Sequence, residues 1–335
     1  MKRRLLGILV AVFAIWGLWW WIATGAMLGG VQTWLNQQRT MGLTADVETT
    51  ERAGFPLRIG ADLTDLALGD PATGSTARVP DLRMSSPIYW PGFLTVTLPQ
   101  DTIYLSGPRA EATLTAMDAR ADLRLRPGAR LQMQSARITA APITLNLVEG
   151  RLLDISEVDI VAQQAQDDAR TYALRANATD LAPGSVLRQA LRLPEAWPAQ
   201  FETLRVDMDV TFDQPWDRGA LAGPRPQPRA ILLRQAEAQW GALRIALTAD
   251  LVVDAQGVPT GTANITAQNW ERMLDLAEAG GAITADVRSG IAQALSLLSR
   301  MNGSDDTLDL EITLEDGRMQ MGFIPLGNAP RFIIR

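Results

Sequence analysis

The sequence predicts a mainly β (α+β) fold, with a single N-terminal transmembrane helix followed by a large curled antiparallel sheet and a few helices. Three observations predict it. Lys2, Arg3 and Arg4 open the chain, and no charged residue follows until Arg39. Most of the remaining 335-residue chain alternates apolar and polar residues with a period of two, the pattern of half-buried strands. Glycines, prolines and an Asp-Gly pair punctuate those runs at strand length.

The apolar run from Leu5 to about Leu28 is roughly 24 residues, against the ~20 that a helix needs to cross a bilayer. A cleaved signal has a shorter core of about 7–15 apolar residues. Trp16, Trp19, Trp20 and Trp21 lie ~17 to ~24 Å beyond Leu5 at ~1.5 Å per residue, towards the far interface that indole rings prefer. Ala23-Thr24-Gly25 offers a small-x-small cleavage site, but the bulky tryptophans upstream disfavour its use. A retained anchor is therefore expected. Lys2, Arg3 and Arg4 orient it with the N-terminus in the cytoplasm, so the rest lies in the periplasm of a bacterial inner membrane.

Composition excludes much chemistry. There is no histidine and no cysteine, which removes the usual general base, the commonest metal ligands and any disulfide. The one lysine, Lys2, lies on the other side of the expected membrane from the folded domain, so no Ser-Lys dyad and no phosphate loop can form. A net charge of -6 argues against nucleic acid and against a polybasic hold on anionic lipid. Two carboxylates could still run glycoside chemistry, yet a sequence alone cannot position such a pair. The acidic stretch Ser304–Gly317 lacks calcium-loop spacing, and Asp309 and Glu311 alternate with Leu308, Leu310, Ile312 and Leu314 as a solvated strand face would. A non-enzymatic protein without cofactor or metal is expected.

Along the chain, Gly29-Gly30 is expected to loosen the helix as it leaves the membrane, and Val31, Trp34, Leu35 and Gln38 continue a helical stripe to about Met41. The expected segments are an anchor over 1–28, a juxtamembrane helix over 29–42 and a β-rich periplasmic domain over 43–335, with a sub-boundary near 180–198. In the second half, Leu204, Val206, Met208, Val210 and Phe212 share one strand face, and Leu243, Ile245 and Leu247 repeat the pattern. A three-residue loop at Ala255-Gln256-Gly257 would set Leu247 opposite Ile265. Asp316-Gly317 is a preferred type I′ turn, which sets Glu315 against Arg318, Leu314 against Met319, Ile312 against Met321 and Leu310 against Phe323. Helices are expected at Gly184–Leu193, ended by Pro194, and in two pieces split by Gly280-Gly281. The second piece carries a Val287–Leu298 stripe and stops at Asn302-Gly303. The Pro-rich segment with Arg225 and Arg229 reads as a solvated loop, with a phosphate group or a protein partner as the sharper alternative.

A sheet of well over ten strands curls or splits as twist accumulates. Leu204, Val206, Met208, Val210, Phe212, Leu243, Ile245, Leu247, Leu310, Ile312 and Leu314 would then line either a core closed by the long helix or an apolar trough that binds lipid. Periodicity leaves these two open.

The segments WLNQQRTMGL, GFPLRI, LALGDPATG, VPDLRMSSPIYWPGFLTVTLP and LEDGRMQMGFIPLG resemble the alphaproteobacterial family called domain of unknown function 2125. Its more distinctive elements are Gly54, Phe55, Pro56 and Arg58, then Asp70, Pro71, Ala72, Thr73 and Gly74. The family carries no established activity, so the resemblance implies location and architecture only. A looser similarity to AsmA-like envelope proteins implies lipid trafficking or envelope maintenance by analogy of fold. The expected function is non-enzymatic binding of lipid or another apolar envelope molecule, with an envelope scaffold that recruits a protein partner as the alternative.

Overall fold

A computed structural model describes residues 2–90, 92–128, 130–193, 197–281, 283–301 and 306–334. The fold is mainly β and antiparallel, with an N-terminal apolar helix. Contacts divide the chain into two units, 1–136 and 137–335, so that residues 180–198 lie inside the second.

The first unit opens with α1 (Lys2–Thr40), which carries one span long and apolar enough to cross a membrane. The side chains of Lys2, Arg3 and Arg4 lie outside the described residues. The helix runs unbroken through Gly29-Gly30, where the sequence suggested a loosening. A helical glycine costs only ~1 kcal/mol relative to alanine, and cooperative packing on either side overrides it. Val31, Leu35 and Gln38, at i, i+4 and i+7, are buried on one face. They pack with Met27, Leu28 and Trp34 against Ala45, Ala61, Leu63, Leu66 and Val79. The second half of the helix is thus the core helix of a small sheet.

That sheet comprises β1 (Thr44–Asp46), β2 (Thr49–Ala53), β3 (Arg58–Asp70), β4 (Ser75–Pro87), β5 (Phe93–Thr97), β6 (Thr102–Ser106), β7 (Glu111–Ala116) and β8 (Arg120–Leu125). Both β1 and β2 pair with β3, which pairs along its length with β4, from Arg58 opposite Pro87 to Asp70 opposite Ser75. Strand β4 in turn meets β5 and β6 at different places, and these pair with β8 and β7. Opposite charges face each other across the strands: Arg83 donates to Asp62 at 2.8 and 2.7 Å, in register. Strand β9 (Met133–Ala140) contains the division point.

The second unit holds β10 (Ile143–Leu147), β11 (Gly150–Ile155), β12 (Glu157–Gln164), β13 (Thr171–Pro183), α2 (Ser185–Ala190), β14 (Phe201–Phe212), α3 (Gly219–Ala222), β15 (Pro228–Trp240), β16 (Leu243–Val253), β17 (Pro259–Gln268), α4 (Trp270–Ala279), α5 (Ala285–Met301), β18 (Thr307–Glu315), β19 (Arg318–Met321) and β20 (Ile324–Asn328). From β12 to β20 each strand pairs antiparallel with the next, through short hairpin loops at β15–β16, β16–β17, β18–β19 and β19–β20 and through α4 and α5 between β17 and β18. The expected helix ends at Pro194 and Asn302-Gly303 lie outside the described residues.

Two hairpins follow their turn chemistry. Asp254 N–H donates to the Val258 carbonyl at 3.0 Å, closing the three-residue loop 255–257, and Leu247 faces Ile265 as expected. Gly257, at φ +79, takes the left-handed position, and a Cβ there would lie 2.6 Å from Ile333 Cγ1. Asp316 and Gly317 both have positive φ, as a type I′ turn requires, and Glu315 faces Arg318 and Leu314 faces Met319. The register then ends at Thr313 opposite Gln320. The expected pairs Ile312–Met321 and Leu310–Phe323 do not form. A second reversal at Gly322, φ +57, sends the chain back so that Met321 faces Ile324 and Phe323 projects into solvent.

Candidate functional site

Antiparallel register sets the candidate face of the second unit. Leu204, Val206, Met208 and Val210 on β14 face Ala178, Ala176, Leu174 and Tyr172 on β13. On their other side lie Ala238, Ala236, Leu233 and Ile231 of β15. Leu243, Ile245 and Leu247 on β16 face Trp240, Ala238 and Ala236, and Ile245 and Leu247 also face Ala267 and Ile265 on β17. Leu310, Ile312 and Leu314 on β18 face Ile265, Ala263 and Gly261. Phe212 faces Pro228 at the edge of the same face. Opposed residues share a side of the pleat, so all eleven sequence-selected residues lie on one continuous apolar face.

Continuity depends on a bulge. Leu233 faces Ala249 and Ala236 faces Leu247, so Arg234 and Gln235 together oppose only Thr248. Against β14 the extra residue is Arg234, which falls between Gln235 opposite Asp207 and Leu233 opposite Met208. Without it, Ala236, Ala238 and Trp240 would fall on the opposite side from Ile231 and Leu233. The bulged Arg234 instead reaches Asp207 at 2.9 Å and also binds Asp209. The two carboxylates hold its guanidinium above its ordinary pKa, chiefly through the hydrogen bond to Asp207.

The ends of the apolar face are sealed and its middle is not. At one end Tyr172 and Phe212 meet edge to face at 5.9 Å, Phe212 meets Trp216 at 5.6 Å, and Val210, Leu251 and Val253 are buried. At the other, Met273, Leu274, Ala292 and Leu295 of α4 and α5, with Leu310, pack on the buried Ala267, Trp270 and Leu308. Among the described side chains of α5, Ala292 and Leu295 pack at that end, whereas Val287, the first residue of the expected stripe, is half exposed. The side chain of Leu298 lies outside the described residues. Between the two ends, Leu204, Val206, Met208, Leu247 and Ile312 are only half-buried, and Ile245 is 40% exposed. Alanines at 176, 178, 236, 238, 249 and 263 make this middle a shallow floor rather than a packed layer.

Several charges on the opposite, polar face are paired. Arg244 meets Glu237 at 2.6 Å, Arg175 meets Asp207 at 3.5 Å, and Thr266 donates to Asp309 at 2.6 Å. In the first unit, Arg120 and Thr95 donate to Asp122, and the Arg120 hydrogen bonds hold that carboxyl below its ordinary pKa. Asp122 is thus held as the ion-pair partner of Arg120. The described part of the acidic stretch is strand β18, with Asp309 and Glu311 exposed, and Ser304 lies outside the described residues. The Pro-rich segment is built into the fold. Pro226 is fully buried, Arg229 donates to the Asp254 carbonyl at 2.7 Å, and Gln227 exchanges hydrogen bonds with the backbone of Ile334.

The first unit contains a separate groove of about 510 Å³, which sequence reading missed. Trp34 and Gln38 of α1, Leu43, Leu68, Leu105 and Ala112 line it. The helical stripe pointed to Trp34 and Gln38, but the groove needs β1, β3 and β6 beside them, which only the tertiary pairing supplies.

A family model described as "Uncharacterized protein conserved in bacteria (DUF2125)" matches residues 19–330. The chain belongs to this family. No curated protein and no solved structure matches it. In this DUF2125 chain the two distinctive motifs sit at opposite ends of the β3 strand. Asp70–Gly74 is the turn between β3 and β4: Asp70 Oδ1 accepts the Ala72 N–H at 2.9 Å, and Gly74 N–H donates to the Asp70 carbonyl at 2.8 Å. Asp70 borders the groove. Gly54, Phe55, Pro56 and Arg58 form the β2–β3 turn, closed by Arg58 N–H donating to the Gly54 carbonyl at 2.9 Å. That turn lies against α1: Trp16 Nε1 donates to the Pro56 carbonyl at 2.9 Å, and Trp20 Nε1 to the Arg58 carbonyl at 2.6 Å. Trp21 carries the Arg52 guanidinium over its ring at 4.8 Å, and Trp19 is exposed.

Proposed function

We propose that this DUF2125 protein is a non-enzymatic, inner-membrane-anchored periplasmic protein that holds a lipid or another apolar envelope molecule on the open face of its second unit. One observation carries the reading. A continuous apolar face spans β13 to β18, is sealed at both ends and is only partly buried in the middle, where Ile245 is 40% exposed. A contiguous apolar face left open to water marks an interaction site, because exposed apolar area costs about 25 cal/mol per Å². A tethered protein meets lipids at the membrane surface, and apolar sites with few polar groups suit acyl chains. The orientation rests on Lys2, Arg3 and Arg4 preceding the only candidate span among the described residues.

The test is lipid analysis by mass spectrometry of the full chain after exhaustive detergent exchange, followed by an offer of labelled fatty acid. Retained or re-bound acyl lipid at a fixed ratio supports the reading. A chain that carries none and takes up none ends it. The interaction reading then stands in its place, favoured by strand β20, which among the described residues pairs with β19 alone and is exposed throughout.

A further inference from the structure

The end of the first unit that touches α1 presents a rim of exposed apolar and aromatic side chains. Leu57 is 68% exposed, Tyr89 is 80% exposed, and Phe55, Trp90 and Phe93 are also open to solvent. They come from two turns that the β3–β4 register places side by side: Arg58 faces Pro87, and Ile88 N–H donates to the Leu57 carbonyl at 3.1 Å. Exposed apolar and aromatic side chains gathered at one strand end mark an interaction site.

Their position relative to the anchor identifies that partner. The Phe55 ring meets Phe13 at 5.9 Å and Trp20 at 5.2 Å, both edge to face. With the indole bonds to Pro56 and Arg58, four contacts hold the turn against residues 13–20 of α1. These residues precede the buried part of the helix, which begins at Thr24. They also lie ~12 to ~23 Å beyond Leu5, within the ~30 Å thickness of a hydrocarbon core. A turn beside that stretch lies at membrane depth.

On the anchor reading given above, we propose that the 54–58 turn and residues 88–90 are a second membrane contact, with Phe55, Leu57, Tyr89 and Trp90 seated in the outer leaflet beside the anchor. The indole bonds satisfy the Pro56 and Arg58 carbonyls, which lipid could not. Tyr and Trp carry an apolar body and a polar tip suited to the headgroup level. Arg52, stacked on Trp21, marks the water boundary. The bilayer segment of α1 therefore ends near Trp21 rather than residue 28. The stretch from Leu5 to Trp20 covers ~24 Å, and local thinning with snorkelling of Lys2, Arg3 and Arg4 makes up the difference.

The chain has no cysteine, so single labels are unambiguous. An NBD fluorophore is attached to full-length Leu57→Cys, Tyr89→Cys, Leu9→Cys and Ala72→Cys in phosphatidylethanolamine–phosphatidylglycerol vesicles carrying doxyl-labelled acyl chains. Leu9 reports the anchor, and Ala72 lies in the turn at the far end of β3 and β4. The expected result is loss of emission at 9, 57 and 89 and none at 72. Loss at 9 with positions 57 and 89 as bright as 72 overturns the second contact and leaves the anchor standing. No loss at 9 removes the anchor, and the inference falls with it.

Discussion

Tyr172 shows what a single side chain does at the sealed end of the apolar face. It is 1% exposed, and its hydroxyl accepts the Trp216 N–H and meets the Gln164 amide, each at 3.2 Å. Gln164 also donates to the Ala169 carbonyl at 2.8 Å, so the hydroxyl joins the β12–β13 loop to the segment after β14. Tyr172→Phe keeps the ring and its contact with Phe212 but leaves the Trp216 N–H without this acceptor. The expected cost is about 1–3 kcal/mol, the desolvation of a buried donor. A lowered urea midpoint with unchanged slope would show it. Tyr104→Phe, at a half-exposed ring, should stay within about 0.5 kcal/mol of the parent. Equal midpoints for Tyr172→Phe and Tyr104→Phe would mean that the buried hydroxyl contributes nothing.

Helix α1 joins two environments in one element. Its first half is apolar and exposed, and its second half is the core of the first unit. Leu35, 0% exposed, packs among β-strand side chains, so Leu35→Ala should cost about 2–5 kcal/mol through lost burial and the cavity left behind. Leu9→Ala should leave the same unfolding transition where it was. Comparable losses for the two substitutions would contradict this division of the helix. Much of this was legible in the sequence, because the Val31–Leu35–Gln38 stripe is a local period. Strand alternation and the Asp316-Gly317 turn were legible for the same reason. What escaped was non-local or depended on a single residue. Gly322 reverses the chain two residues past the last matched pair, and a glycine in a strand pattern does not announce which way it turns. The Arg234 bulge is set by pairing on both sides. The turn at Phe55 and Pro56 reaches tryptophans 35 and 40 residues away, a contact no period encodes.

At the scale of the whole molecule, the sequence left a closed core and an open trough equally supported. The choice turned on where α4 and α5 pack, and they cover one end of the face. Leu247 lies beyond them, half-buried between Ala236 and Ile265. A carboxylate at that position keeps access to water, whereas in a closed core it would be an unpaired buried charge costing several kcal/mol. The most direct test is therefore lipid content measured on Leu247→Asp beside the parent chain, with circular dichroism and protease resistance recorded on the same samples. The open face predicts a folded, protease-resistant variant that has lost the lipid the parent retains. A variant that stays folded and keeps its lipid, or one that collapses to a protease-sensitive chain, would contradict it.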